Sequence, residues 1–214
     1  MVFSLLLVCY AKFGRVGAMA WVGLATILAN IITAKNAEIM GMSTAIGSVL
    51  FASTFLATDI LAEYHGKQFA RKAVFIGVFA DIVLILSTQI ALLYQPSAID
   101  YADGAMRTLF SLNLRISAAS LIMYCVANFA DVYLYNRLKE KGGALWIRNN
   151  VSTILCNCLE NFGFIGLAFG GIYDLKTIMT ISLSTSAIEA IVALCDTPFL
   201  YFARRVNNGE KVTQ

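Results

Sequence analysis

The sequence predicts an all-α fold: a polytopic transmembrane helical bundle of six core helices, preceded by a short N-terminal apolar helix. Three observations support this prediction. The 214 residues are 59% hydrophobic and only 14% charged, whereas soluble chains carry about 25% charged residues. The apolar residues are grouped in long blocks, as in membrane-spanning helices. The basic residues are concentrated in alternate loops. We therefore expect one integral membrane domain over residues 1–214, with its core at about 16–205.

The apolar blocks define the six core helices. Each block holds about 20 residues or more, which at 1.5 Å per residue is enough to cross about 30 Å of hydrocarbon. The predicted spans are Val16–Ala34, Met42–Leu61, Ala70–Tyr94, Leu112–Tyr135, Val151–Ile172 and Ile178–Phe202.

A further apolar run, Met1–Ala11, precedes the first span. It is too short to cross the membrane alone. It also lacks the basic region and the small-residue cleavage site of a signal peptide. The sequence therefore predicts a short seventh helix or half-span, and whether this run crosses the membrane stays open.

The distribution of Lys and Arg predicts the orientation. If every span crosses, twelve of the sixteen basic residues fall on the same side as the C-terminus. Basic residues in short loops favour the cytoplasmic side. We therefore expect a multi-pass protein of the cell inner membrane with a cytoplasmic C-terminus. The net charge of +3 then reflects topology, and no nucleic-acid partner is expected.

The chain lacks the residues that several kinds of chemistry require. Cys156 and Cys158 are two positions apart on a helix and point about 200° apart, so they do not form a metal-binding pair. The single histidine, His65, lies at a loop edge. No phosphate-binding loop motif and no G-x-S-x-G motif is present. We therefore expect no metal, no cofactor and no enzymatic activity. The enzyme alternative would use Glu160 and Glu189 as an acid–base pair.

Polar side chains interrupt the last two spans near their centres. Asn157, Glu160 and Asn161 are spaced i, i+3 and i+4, so they share one helical face. Glu189 lies near the centre of the final span. A charge at this depth costs about 2.5–3.5 kcal/mol on insertion scales, so it indicates a cavity, a partner or a substrate. Because the two spans are consecutive and antiparallel, we expect their polar faces to meet in a site at the membrane midplane.

A second layer of carboxylates is predicted nearer the cytoplasmic side, at Asp59, Asp131 and Asp196. A basic residue at the inner interface could neutralise them; the candidates are Arg71, Lys72 and Arg137. Asp196 could instead cap a helix that restarts after a proline kink. Asp81 stands apart from both layers, and either a partner across the bundle or a functional role would explain it.

Four stretches indicate a family: FASTFLATDILAEYHGKQFARKAV (51–74), RISAASLIMYCVANFADVYLYNRLK (115–139), LWIRNNVSTIL (145–155) and LCDTPFLYFARR (194–205). They resemble the queuosine precursor transporter family, formerly called the putative vitamin uptake transporters, and the likeness runs from about Ala20 to Arg205. The resemblance implies a fold similar to the substrate-binding subunits of energy-coupling-factor importers. It also implies uptake of a 7-deazaguanine across the cytoplasmic membrane, for salvage of the tRNA modification queuosine.

The chain departs from the family pattern within the predicted midplane site. The family usually reads S-T-L-x-x-Q-x-x-D-T, where this chain has Asn157 for the Gln, Glu160 for the Asp and Asn161 for the Thr. Asn128 stands in place of a usual Gln, and Glu189 in place of a usual Lys. The side chains thus differ in size from the family pattern in two spans and in charge in the third. These differences indicate that the site is the same but is adapted to another ligand.

A guanine-type base presents adjacent N–H donors and a carbonyl acceptor. Glu160 is predicted to accept from the donors, while Asn157, Asn161 and Asn128 supply amides. Glu189 would favour a cationic substituent, which predicts queuine or the aminomethyl base over the uncharged nitrile. Further candidates are Asp131, Asn30, Thr54 and Thr58, with Tyr124 and Phe162 as stacking faces. For the threonines, hydrogen bonds to their own helix backbone are the competing interpretation.

The expected partners are a small-molecule 7-deazaguanine base and the lipid bilayer. An alternative function is a substrate-binding membrane subunit that needs a separate ATP-driven energising module. The sequence does not decide whether the protein forms a homo-oligomer, whether it requires such a module or whether it couples transport to protons.

Overall fold

The computed structural model describes residues 1–32, 35–39, 42–110 and 114–206. The helices in these ranges are α1 (Val2–Ile32), α2 (Gly47–Tyr64), α3 (Lys67–Leu93), α4 (Asp103–Phe110), α5 (Leu114–Glu140), α6 (Leu145–Phe169) and α7 (Leu175–Val206). A short antiparallel hairpin, β1 (Asn36–Ile39) and β2 (Met42–Ala45), lies between α1 and α2. The prediction of an all-α membrane bundle is confirmed.

Five of the helices in the described ranges are long and apolar enough to cross a membrane; they are α1, α3, α5, α6 and α7. The predicted span Met42–Leu61 was wrong at its start. Residues 42–45 form strand β2, and α2 begins at Gly47 and extends to Tyr64. The amide of Ile46 donates to the carbonyl of Lys35 at 3.0 Å, which closes the hairpin. Hydropathy did not reveal this boundary because Met42, Ala45 and Ile46 continue the apolar block.

Helix α2 is the central helix of the bundle. It contacts α1, α3, α5, α6 and α7, and the side chains of residues 52–62 are all buried. Because none of these buried side chains faces lipid, α2 can carry polar residues without exposing them to hydrocarbon. These residues are Ser53, Thr54, Thr58 and Asp59.

A sharp bend at Gly14 divides α1. Its backbone angles, φ 56° and ψ −142°, lie in a region that favours glycine. The preceding part is a short apolar helix whose Phe3, Leu6 and Tyr10 are buried on one face. The ring of Phe3 lies 5.3 Å from that of Phe199 in α7. This confirms the short N-terminal helix. It packs against the bundle, and the bend at Gly14 separates it from the remainder of α1, so the two parts do not form one straight span.

The loops that carry most of the basic residues meet at one end of the bundle, called here the basic end. Glu63, near the end of α2, pairs with Arg148 of α6 at 2.7 Å and with Lys139 of α5 at 3.3 Å. Lys139 also donates to the carbonyls of Ala62 and Glu63, which satisfies acceptors at the helix C-terminus. At the same end, Arg15 lies 4.8 Å from the ring centre of Phe69.

We predict that Glu63→Gln destabilises the bundle by about 2 kcal/mol, because two charged partners lose a largely buried carboxylate. The midpoint of thermal unfolding in detergent measures this effect. The matched control is Glu140→Gln, since Glu140 pairs with Arg137 at an exposed position, 3.8 Å away, where such pairs contribute little. Equal midpoints for the two variants would contradict a structural role for Glu63.

Candidate functional site

The polar faces of α6 and α7 meet inside the bundle. Asn161 Nδ2 donates to Glu189 Oε2 at 2.8 Å and to Ser186 Oγ at 3.2 Å. Asn161 and Ser186 are buried. The predicted meeting of the two faces is therefore confirmed, and it depends on a charge-assisted hydrogen bond between an amide and a carboxylate.

Glu160 lies beside this contact and is partly buried. It is close enough to Glu189 and Tyr124 to interact with both electrostatically. Among the described residues, its carboxylate has no hydrogen-bond or ion-pair partner. Asn157, on the same face, is buried and likewise makes no hydrogen bond within the described part of the chain. Both side chains are therefore free of protein partners in the described part of the chain and can contact a ligand.

Helix α5 brings Asn128 and Tyr124 into the bundle interior. Asn128 Nδ2 donates to the Tyr124 carbonyl at 3.0 Å, and its buried Oδ1 has no hydrogen-bond partner among the described residues. The Tyr124 hydroxyl lies 3.0 Å from Thr26 Oγ1 in α1. Its ring packs edge-on against Phe51 at 5.2 Å. Stacking of a base on Tyr124, or on the partly buried Phe162, stays a prediction.

The candidates on α1 and α2 already have partners inside the protein. Asn30 Nδ2 donates to Asp81 Oδ1 at 3.0 Å, so the structure provides the cross-bundle partner that the sequence left open for Asp81. Thr54 and Thr58 donate to the carbonyls of Phe51 and Phe55 in their own helix. The back-bonding interpretation of the threonines therefore holds, while substrate contacts by Asn30, Thr54 and Thr58 stay predictions.

The second layer of carboxylates forms a buried group, called here the aspartate cluster: Asp59 of α2, Asp131 of α5 and Asp196 of α7. Each is 0% exposed, and electrostatic interactions join Asp59 to Asp131 and Asp196. The structure thus groups Asp131 with these two carboxylates. A direct substrate contact by Asp131 stays a prediction.

Both explanations offered by the sequence for the aspartate cluster were wrong. Arg71, Lys72 and Arg137 are exposed, and none pairs with the cluster within the described residues. Helix α7 runs without a break through Pro198, so there is no new helix start for Asp196 to cap. Asp196 Oδ1 instead accepts from Asn149 Nδ2 at 2.8 Å.

Asn149 and Ser186 were not among the predicted site residues. The signal for Asn149 was present in the sequence, since Asn149, Thr153, Asn157 and Asn161 follow at intervals of four and share a helical face. Ser186 lies three residues before Glu189, also on one face. From the sequence alone, a small polar residue in an apolar helix does not indicate which side chain it contacts.

The fold and the buried polar side chains together define a polytopic membrane protein whose helices enclose a candidate binding site. The family model described as putative vitamin uptake transporter matches residues 45–203. The chain therefore belongs to the queuosine precursor transporter family, formerly the putative vitamin uptake transporters, which is a family of transporters and not of enzymes.

Relatives match over much of the chain. It is 33% identical over 213 residues to a probable queuosine precursor transporter of Bacillus subtilis, with 98% of this chain and 93% of the relative covered. It is 29% identical over 166 residues to the queuosine precursor transporter of Escherichia coli, with 75% and 72% covered. No solved structure matches the chain, so the likeness to energy-coupling-factor subunits stays a prediction.

We predict that Asn161 and Glu189 are energetically coupled. Asn161→Ala and Glu189→Ala should each lower stability, and the double variant should lose less than the sum, with a coupling of about 1–3 kcal/mol. Unfolding in detergent of the two single variants and the double variant measures the coupling. Asn161→Ala combined with Glu63→Gln is the control and should be additive. Additivity in the Asn161–Glu189 pair would contradict the contact.

Proposed function

We propose that this protein takes up a 7-deazaguanine precursor of queuosine across the cytoplasmic membrane. The relatives named as queuosine precursor transporters support the substrate class. We further propose that the C-terminus is cytoplasmic, which the basic loops at one end of the bundle support.

The observation that carries the proposal is the Glu160 carboxylate, which has no partner among the described residues although it lies within the bundle. A deazaguanine offers two adjacent N–H donors, and a carboxylate can accept both. Asn157 lies one turn away on the same face and can reach a carbonyl or ring edge of the same base. A ligand of this kind satisfies groups that are otherwise costly to bury.

The substrate preference follows from Glu189. One of its oxygens accepts from Asn161, which leaves the other oxygen for a ligand. Glu160 and Glu189 also repel each other when both are ionised. A cationic group placed next to them would relieve this repulsion. We therefore propose that the protein prefers queuine or the aminomethyl base, which carry an amine, over the nitrile, which does not.

Uptake in cells tests the substrate class. The host would lack its own queuosine synthesis and its own precursor uptake, and it would contain the enzymes that insert each base into tRNA. Queuine, the aminomethyl base and the nitrile are supplied separately, and queuosine in tRNA is measured. Queuosine formation that depends on this chain supports the proposal. Its absence with all three bases, despite well-inserted protein, would contradict it.

Reconstitution separates uptake by this chain alone from the alternative that an ATP-driven module is required. Purified protein in lipid vesicles is given labelled base without ATP. Accumulation inside the vesicles supports autonomous transport. Binding without accumulation supports the alternative, a substrate-binding subunit.

We predict that Glu189→Lys shifts the preference toward the nitrile, because a cationic side chain repels the amine of the other two bases. A tenfold change in the uptake ratio corresponds to about 1.4 kcal/mol. Glu140→Lys makes the same charge reversal at an exposed position and should leave the ratio unchanged. An unchanged ratio in Glu189→Lys would contradict the role of Glu189 in substrate selection.

A further inference from the structure

The aspartate cluster contains more hydrogen-bond acceptors than donors. Both carboxylate oxygens of Asp59 and of Asp131, and Oδ2 of Asp196, have no hydrogen-bond donor within the described residues. Asn149 is also 0% exposed and reaches into the cluster, where its Nδ2 donates to Asp196 Oδ1. Its own Oδ1 has no partner there either. Buried acceptors without donors are costly, so the cluster requires a proton or another donor that these contacts do not supply.

The juxtaposition of Asp59 and Asp131 indicates what this donor is. Both side chains are 0% exposed, and their carboxyl groups interact electrostatically with each other. An ionised carboxylate only accepts, so a bond between two carboxyl groups forms only when one of them carries a proton. Two carboxyl groups that share a site in this way cannot both ionise at ordinary cost.

The surrounding groups do not supply a competing positive charge. The cations Arg148 and Lys139, on the helices that carry Asn149 and Asp131, pair with Glu63. The other groups that face the cluster are neutral or acidic; they are Cys156, Tyr135, Ser152 and Glu63. The described residues contain no group of His, Cys, Asp and Glu arranged to hold a metal ion. The observations therefore favour a proton over a metal ion.

The aspartate cluster lies next to the proposed substrate site. Cys156 interacts electrostatically with Asp131 and Asp59 on one side and with Glu160 on the other. On α6, Thr153 lies one turn from Asn149, which contacts the cluster, and one turn from Asn157, which faces the substrate site. The Thr153 hydroxyl is buried and has no partner among the described residues. A change of charge in one site therefore alters the electrostatic potential in the other.

We propose that Asp59 and Asp131 share one exchangeable proton and that its binding and release are coupled to transport of the base. This inference rests on the proposed function. The proton comes from water on one side of the membrane, binds one carboxylate, and is released to water on the other side. No bond to the substrate is made or broken.

Infrared spectroscopy tests the proton site without reference to transport. A protonated carboxyl group has a C=O stretch that an ionised carboxylate lacks. We expect this band in the purified full chain, and we expect Asp59→Asn and Asp131→Asn each to remove the part of its intensity that the shared proton contributes. Asp81→Asn, which changes another buried membrane carboxyl group, is the matched control and should retain the band. Absence of the band from the unmodified protein, or undiminished intensity in both cluster variants, would overturn the proposal.

Uptake into vesicles tests the coupling. The unmodified chain should accumulate labelled base faster when the outside is acidic than when both sides have equal pH. This stimulation should be lost in Asp131→Asn and retained in Glu140→Gln. Equal uptake rates with and without the pH difference would overturn the coupling. If no base is transported but the infrared band behaves as expected, the proton site is supported while the proposed function fails.

Discussion

Burial of ionisable side chains in a bundle whose outer surface is apolar is the constraint on which the rest of the structure depends. Large apolar side chains such as Phe75, Phe79 and Leu86 of α3 are exposed, as expected of a surface that faces lipid. The membrane carboxylates lie on the inner faces of the helices. The cost of a charge in hydrocarbon therefore accounts for the central position of α2, which carries Asp59 and is surrounded by the longer helices.

This constraint divides the interior into two neighbouring polar sites. In the proposed substrate site, Asn161 donates to Glu189, while Glu160 has no partner in the described part of the chain. In the aspartate cluster, the carboxylate oxygens of Asp59 and Asp131 are buried without a hydrogen-bond partner among the described residues. Glu63 differs from both, because Arg148 and Lys139 neutralise it at the basic end. The chain thus pairs its structural carboxylate with cations and leaves those of the proposed sites without them.

Properties that depend on local spacing could be predicted from the sequence. Apolar block length predicted the five long helices but not the start of α2, and the i, i+3, i+4 spacing predicted that Asn157, Glu160 and Asn161 share a face. Partners across the bundle could not be predicted in this way. Arg71 and Lys72 are close to Asp59 in sequence but lie outside the bundle, whereas the partner of Asp196 is Asn149, 47 residues away. Only the packing of α6 on α7 brings that pair together.

The central claim is that Glu160 binds the donor face of a deazaguanine base inside the bundle. Equilibrium binding of queuine to the purified full chain and to Glu160→Gln tests it most directly, with Glu140→Gln as the control. Replacing the carboxylate by an amide removes charge-assisted hydrogen bonds worth about 1.5–3 kcal/mol, so affinity should fall by about 10- to 100-fold. Unchanged affinity in a folded Glu160→Gln protein would contradict the account.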